Sequence, residues 1–350
     1  MTRAALPLFL AALLGTGCYR SYDIVQEEAP IPSTPWNLKA LNSPFDDRNA
    51  AAPPELQVRT QILFSTARAS QGAELDLAAG QIYVDFGQWN AEYYQSEHLV
   101  SGSLVAQAIN RPGSNERGPR ILDPQREGHA NLYLFASDRA GSYDVYALHG
   151  PPPLAEDTRR YGRQSPWPEP EAPAPIPGLD DPERYEAYPS PLGNDRLLYA
   201  SDRGGQGLDI YEARLEVPGR LQAGVGGHRR VDALCSDADD SFPYVNGDVI
   251  VFASDRPGGH GGYDLYRATW DGEGWSEPEN LGPEVNSAHD ERRPVYVRAP
   301  EFQNDLLLFS SDRPGGLGGF DLYAVGVPRP ADDAATTERS LEHDVGAGSE

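Results

Sequence analysis

Four segments of this chain repeat almost verbatim, and that repetition restricts the fold more than any other feature. They are Leu132-Tyr-Leu-Phe-Ala-Ser-Asp-Arg139, Arg196-Leu-Leu-Tyr-Ala-Ser-Asp-Arg203, Val249-Ile-Val-Phe-Ala-Ser-Asp-Arg256 and Leu306-Leu-Leu-Phe-Ser-Ser-Asp-Arg313. Each leads through a glycine-rich turn into a short return strand: Asp144-Val-Tyr146, Asp209-Ile-Tyr211, Asp264-Leu-Tyr266 and Asp321-Leu-Tyr323. Ile62-Leu-Phe-Ser-Thr-Ala-Arg68 is a fifth, weaker copy without the aspartate. Units that cannot bury an apolar face alone must stack on one another. The first strand of each unit is a continuous apolar run, as expected where neighbouring sheets cover both faces. In Gly258-Gly-His-Gly-Gly262 the glycines tolerate positive φ and permit a tight reversal. Gly274-Trp-Ser-Glu-Pro-Glu-Asn-Leu281 reads as an outer strand. Residues 286–294, 114–119 and 239–243 read as connectors that carry the chain into the next unit.

The two ends of the repeat array complement each other. Trp36-Asn-Leu-Lys-Ala-Leu41 parallels the outer strand at Trp275, and Asn42-Ser-Pro-Phe-Asp-Asp-Arg48 parallels the connector from Asn286 to Arg292. The last unit ends near Val327 with no tryptophan-bearing outer strand. Pairing the orphan strand with the last unit closes a ring and removes two open sheet edges. The expectation is an all-β propeller of five blades closed by an N-terminal strand. The long interval from Ser65 to Ser137 leaves room for a sixth. The 36 glycines and 32 prolines agree with many turns and argue against long helices.

The pattern Ser-Asp-Arg-Pro-Gly-Gly-x-Gly-Gly-Tyr/Phe-Asp-Leu-Tyr, with Asn-Ser-x-x-Asp-Glu upstream, resembles the WD-like repeat of TolB-type propellers. The resemblance spans about residues 36 to 326. It speaks specifically for the fold and poorly for the function. It implies an envelope role in Gram-negative bacteria, where such repeats also occur joined to peptidoglycan-binding domains.

The chain's two ends read as separate from that array. Arg3, the apolar run from Ala4 to Leu14 and the small residues before Cys18 read as a signal peptide over 1–17. Cys18 is similar to the acylated cysteine of bacterial lipoproteins, although Gly15 stands where those usually have leucine. The expectation is a lipidated Cys18 with a flexible tether to residue 35, anchored by its acyl chains in the cell envelope at the outer membrane. Tyr19 after the cysteine implies that destination by the sorting rule of enteric bacteria. Residues 327–350 read as a disordered acidic tail.

The 53 acidic and 29 basic residues give a net charge of −24, which repels phosphate backbones and excludes nucleic acid as a partner. Two cysteines supply no disulfide framework, and the seven histidines show no paired metal spacing. The repeated Asp138, Asp202, Asp255 and Asp312 admit two roles. They serve the repeat structurally, each pairing with its neighbouring arginine or capping a turn, or they ring the axis and hold a hard cation. Repetition in every unit favours the structural role. No catalytic residue, metal or cofactor stands out, and Cys235 reads as a small packed residue. The sequence reading is therefore a non-catalytic scaffold that binds an envelope protein or a glycan. The alternative is a carbohydrate-active hydrolase using a carboxylate pair at the channel.

Overall fold

A computed structural model describes residues 30–330 apart from 88–91, 101, 123–130, 154–168 and 206. Cys18, the signal segment and the tail from 331 lie outside the described residues. Five antiparallel four-stranded sheets make up the fold. The first contains β2 (Asp47–Ala51), β3 (Arg59–Thr66), β4 (Asp76–Gly87) and β5 (Glu92–Val100), followed by the helix α1 (Leu104–Ile109). The second runs through β6 (Glu116–Leu122), β7 (Asn131–Ser137), β8 (Asp144–Gly150) and β9 (Ala174–Pro175). The third holds β10 (Glu186–Leu192), β11 (Arg196–Ser201), β12 (Asp209–Leu215) and β13 (Val225–Arg230). The fourth holds β14 (Asp240–Asn246), β15 (Val249–Ser254), β16 (Asp264–Thr269) and β17 (Glu279–Asn280). The fifth is β18 (Glu291–Val297), β19 (Asp305–Ser311) and β20 (Asp321–Val327), with β1 (Trp36–Asn37) as its fourth strand.

The blade count is five. The interval that left room for a sixth blade is filled by the long β4–β5 hairpin and α1, which belong to the first blade. On the fifth blade, Trp36 stands opposite Ala324 and Asn37 opposite Tyr323. The chain around β1 is well anchored: Ile31, Leu38 and Leu41 are fully buried, and Asn304 clasps the Ile31 backbone from both sides. The apolar strands β7, β11, β15 and β19 are the second of each blade and are covered on both faces, as their sequences require.

Two local expectations change. The outer strand expected over 274–281 shrinks to β17, because Pro278 has no N–H to give the ladder. The glycine turns are also more than reversals. A Cβ on Gly261 would stand 2.2 Å from the His289 carbonyl oxygen, and one on Gly318 would stand 2.1 Å from that of Phe45. These glycines let each turn press against the backbone leading into the next blade.

The larger correction concerns the segments read as connectors. The segments at 42–48, 114–119, 239–243 and 286–294 run into β2, β6, β14 and β18, the innermost strands of their blades, and β10 is the innermost strand of the third blade. All five carry the same irregularity. Asn49, Gly118, Tyr188, Phe242 and Arg293 have φ between 55° and 62°, and the pairing register shifts at each. Such bulges re-aim side chains, here two residues after an acidic residue and, in four blades, one before a proline. An alternating hydrophobic pattern is therefore missing, and with it the usual sign of a strand.

Candidate functional site

The four repeated aspartates do not converge. Asp138 accepts from the Asn115 amide at 2.7 Å, Asp202 from that of Tyr185 at 3.0 Å, Asp255 from that of Asp239 at 2.8 Å and Asp312 from that of Asp290 at 2.9 Å. Each ties the end of a second strand to the start of the inner strand beside it. The adjoining arginine has a different partner. Arg139, Arg203, Arg256 and Arg313 pair with Glu116, Glu186, Asp240 and Glu291, and Arg68 in the first blade pairs with Asp47. Those five carboxylates are fully buried at the inner-strand starts. Burial pushes Glu186 up to about 7 against the pull of Arg203, and pushes Glu116 upward.

A second clamp repeats with one substitution. The side-chain amides of Asn42, Asn110 and Asn286 each bond both N–H and C=O of one third-strand residue: Leu322, Leu77 and Leu265. In the third blade Cys235 takes this place, its sulfur 3.3 Å from the Ile210 nitrogen and 3.5 Å from the Ile210 oxygen. Burial pushes the thiol up to about 12, so it remains protonated. Asp209, Cys235 and Asp240 bring ligand atoms within 4.8 Å of one another. Arg230 already holds Asp209 at 2.9 Å, and Arg256 holds Asp240 at 2.5 Å. This chemistry suits an ion-paired core better than a metal centre.

The blades differ along the channel. At the inner-strand starts Arg48, Arg117 and Arg292 lean on an aromatic belt. Arg48 and Arg292 lie 5.8 and 5.4 Å from the Phe320 ring centre, Arg292 lies 4.3 Å from that of Tyr263, and Arg117 lies 4.5 Å from that of Tyr143. The belt continues inward through Tyr143, Tyr185, Tyr188, Phe242 and Tyr263, in ring contact one after another. Three half-buried carboxylates stand beside it. Asp46 accepts from the Phe320 amide and faces Arg48 at 3.4 Å; Asp290 accepts from the Tyr263 amide and faces Arg292 at 2.6 Å. Asp239 accepts from the Leu208 amide and, at 2.8 Å, from the Tyr263 hydroxyl.

Deeper in, a small channel cavity of about 30 Å³ is lined by all five bulges and by Arg120 and Tyr244. Arg293 donates to the Tyr188 hydroxyl at 2.6 Å, and Tyr185 donates to the same oxygen at 3.0 Å. Burial alone would raise the Tyr188 phenol, but Arg293, Arg117 and Arg48 outweigh it and hold it below its ordinary range. Arg120 lies 3.6 Å from the Tyr244 ring centre and donates to the Val245 carbonyl at 2.6 Å. Sequence reading missed the whole of this lining. The signal was the acid-x-x-Pro spacing of the supposed connectors, as in Glu116-Arg-Gly-Pro119 and Glu291-Arg-Arg-Pro294.

No protein-family model and no curated protein matches this chain. Solved structures do. An exo-β-1,3-galactanase from Clostridium thermocellum is 8% identical with a TM-score of 0.50, over 85% of this chain and 63% of that one. The glycoside hydrolase family 43 protein BlXynB, a mutant form, from Bacillus licheniformis is 9% identical with a TM-score of 0.50, over 85% and 55%. An α-L-arabinofuranosidase from Podospora anserina, solved with cellotriose, is 13% identical with a TM-score of 0.46, over 86% and 99%. At such identities the likeness establishes the five-bladed fold. The two neighbours at a TM-score of 0.50 are named as an exo-β-1,3-galactanase and a glycoside hydrolase family 43 protein, so the fold likeness does not favour the expected non-catalytic scaffold without enzymatic activity.

Proposed function

We propose that this protein is a carbohydrate-active enzyme that hydrolyses a saccharide at the channel mouth where the inner strands begin. One observation carries the reading: the mouth sets the carboxylates Asp46, Asp239 and Asp290 beside Tyr263 and Phe320. Sugar rings offer an apolar C–H face that packs on aromatic side chains and an equatorial rim of hydroxyls that bonds carboxylates and guanidinium groups. Glycoside hydrolysis needs two carboxyl groups, one giving a proton to the leaving oxygen and the other acting as base or nucleophile. Asp46 and Asp290, from neighbouring inner-strand starts on either side of Phe320, are our candidates for the pair. Asp239 is positioned to orient Tyr263 and a substrate hydroxyl. The hydrolase names of the fold neighbours support this reading and do not specify the sugar.

We propose further that the enzyme is tethered to the cell envelope through a lipidated Cys18, in keeping with the small residues that precede it, and that its repeats are of the TolB type. The test of function is release of reducing ends, or of nitrophenol from aryl glycosides, across a panel of arabinosides, xylosides, galactosides and their polymers. The wild type should turn over at least one of them, with Asp290→Asn and Asp46→Asn slower by about 100-fold or more. A wild type no faster than these variants on every substrate would end the hydrolase reading.

A further inference from the structure

Arg68, Arg139, Arg203, Arg256 and Arg313, after the second strands, and the channel arginines are built on opposite principles. Each of those five has a buried carboxylate. Arg120 and Arg293 are 7% and 8% exposed, yet no carboxylate among the described residues pairs with either. Their Nε and Nη1 atoms are buried without a hydrogen-bond partner, and both residues line the channel cavity. Arg48, Arg117 and Arg292 add charge at the mouth, and Asp46 and Asp290 answer only two of those three. Taking an ion out of water costs several kcal/mol unless an opposite charge is supplied. A chain with a net charge of −24 repels anions at long range, so its surplus of acid elsewhere does not explain a cationic channel.

Buried donors without acceptors, beside a small channel cavity, define the absent partner. We propose that the channel binds an oxyanion, a carboxylate or a phosphate- or sulfate-type group, held by the guanidinium groups of Arg120 and Arg293. A guanidinium presents its donors in a planar fork that matches such groups, which a hydroxyl cannot match as well. Resting on the hydrolase reading, this names the substrate class as a saccharide carrying an acidic group, such as a uronic acid. The same chemistry also fits a free inorganic oxyanion. Arg293 sits at the bulge of β18, where Asn49 and Gly118 stand in β2 and β6, and Arg120 stands where Ser190 does in β10. These departures from the repeat are what an asymmetric ligand requires.

The test is thermal melting of the full chain against sodium glucuronate, phosphate and sulfate, at ionic strength matched with sodium chloride and with glucose as the uncharged control. The wild type should gain about 2–4 °C for each tenfold rise in a bound anion beyond its dissociation constant. Arg120→Met and Arg293→Met should remove that gain. A response to glucuronate alone assigns the site to an acidic sugar, whereas equal responses to phosphate and sulfate assign it to a free oxyanion. Equal shifts in wild type and variants, or no shift at all, would overturn the proposal. Should a variant fail to fold, calorimetric titration of the wild type decides, with saturable heat from an oxyanion but not from glucose as the supporting result and its absence as the refuting one. Oxyanion binding by a protein that cleaves no glycan would refute the hydrolase and keep this site. Cleavage of neutral glycans with no anion response would do the reverse.

Discussion

Arg256 and Arg293 are the same residue type in adjacent blades, both held against aromatic rings, yet their surroundings are opposite. Arg256 lies 4.8 Å from the Tyr266 ring centre and closes on Asp240 at 2.5 Å and on the Leu234 carbonyl at 2.7 Å. Arg293 lies 4.8 Å from the Tyr188 ring centre and has a phenol for a partner, and burial pushes its guanidinium down to about 10. The pairing with a buried carboxylate recurs in all five blades, whereas Arg120 and Arg293, from two of the blades, line the channel without one. Repetition marks what the ring needs in order to stand, and departure from it marks where a ligand is recognised.

The framework side of that comparison is most exposed where the ring meets its own beginning. Removing residues 30–42 takes away three fully buried aliphatic side chains, the Asn42 clamp and the fourth strand of the fifth blade. The expected loss is about 6 kcal/mol or more, as much as many domains possess, and chemical denaturation with light scattering should show an aggregating, unfolded chain. A soluble, cooperatively melting product would show that β1 is not the clasp.

The next test sets the two arginines against each other. Arg256→Met leaves Asp240 buried without its cation and should cost about 3–5 kcal/mol in urea unfolding. Arg293→Met, in a buffer free of oxyanions, removes a charge that has no carboxylate and should be neutral or stabilising by about 1–3 kcal/mol. Equal losses in the two variants would dissolve the distinction.

How much of this was legible in the sequence follows the same division. The second and third strands announce themselves through apolar runs and the Asp-aliphatic-Tyr return, because burial on two faces demands them. The inner strands did not. Glu291-Arg-Arg-Pro294 mixes charge and proline because one of its faces is a polar channel and a bulge breaks its period, so it reads as a loop. The aspartate of the Ser-Asp-Arg motif was visible, but its bond to a backbone amide on another strand was not. Nor was the pairing of the next arginine with an acid 16 to 23 residues upstream. Those contacts depend on strand order, which local sequence does not encode.

Smaller effects sharpen the framework side. A carboxyl raised to about 7 in the fold from an ordinary 4.5 binds its proton more tightly folded than unfolded. Glu186 therefore favours the fold fully below about pH 4.5, and this contribution is lost as pH rises to about 7. Across that window the wild type should lose about 1–3 kcal/mol relative to Glu186→Gln, read from urea midpoints at each pH. A gap that does not move, or moves the other way, would mean that Arg203 holds the carboxylate ionised throughout. Smaller still, Cys235→Asn should restore the amide clamp present at Asn42, Asn110 and Asn286 and raise stability by about 1 kcal/mol. A loss would show that the thiol suits the Asp209 and Asp240 surroundings better than an amide does.

The channel itself is tested most directly by a crystal structure of the wild-type protein grown with sodium selenate, an oxyanion located by its anomalous scattering. The account predicts an anomalous peak inside the channel, within hydrogen-bonding distance of the Arg120 or Arg293 guanidinium and absent from Arg120→Met and Arg293→Met crystals. Selenate confined to the outer surface, with only water beside both guanidinium groups, would contradict it.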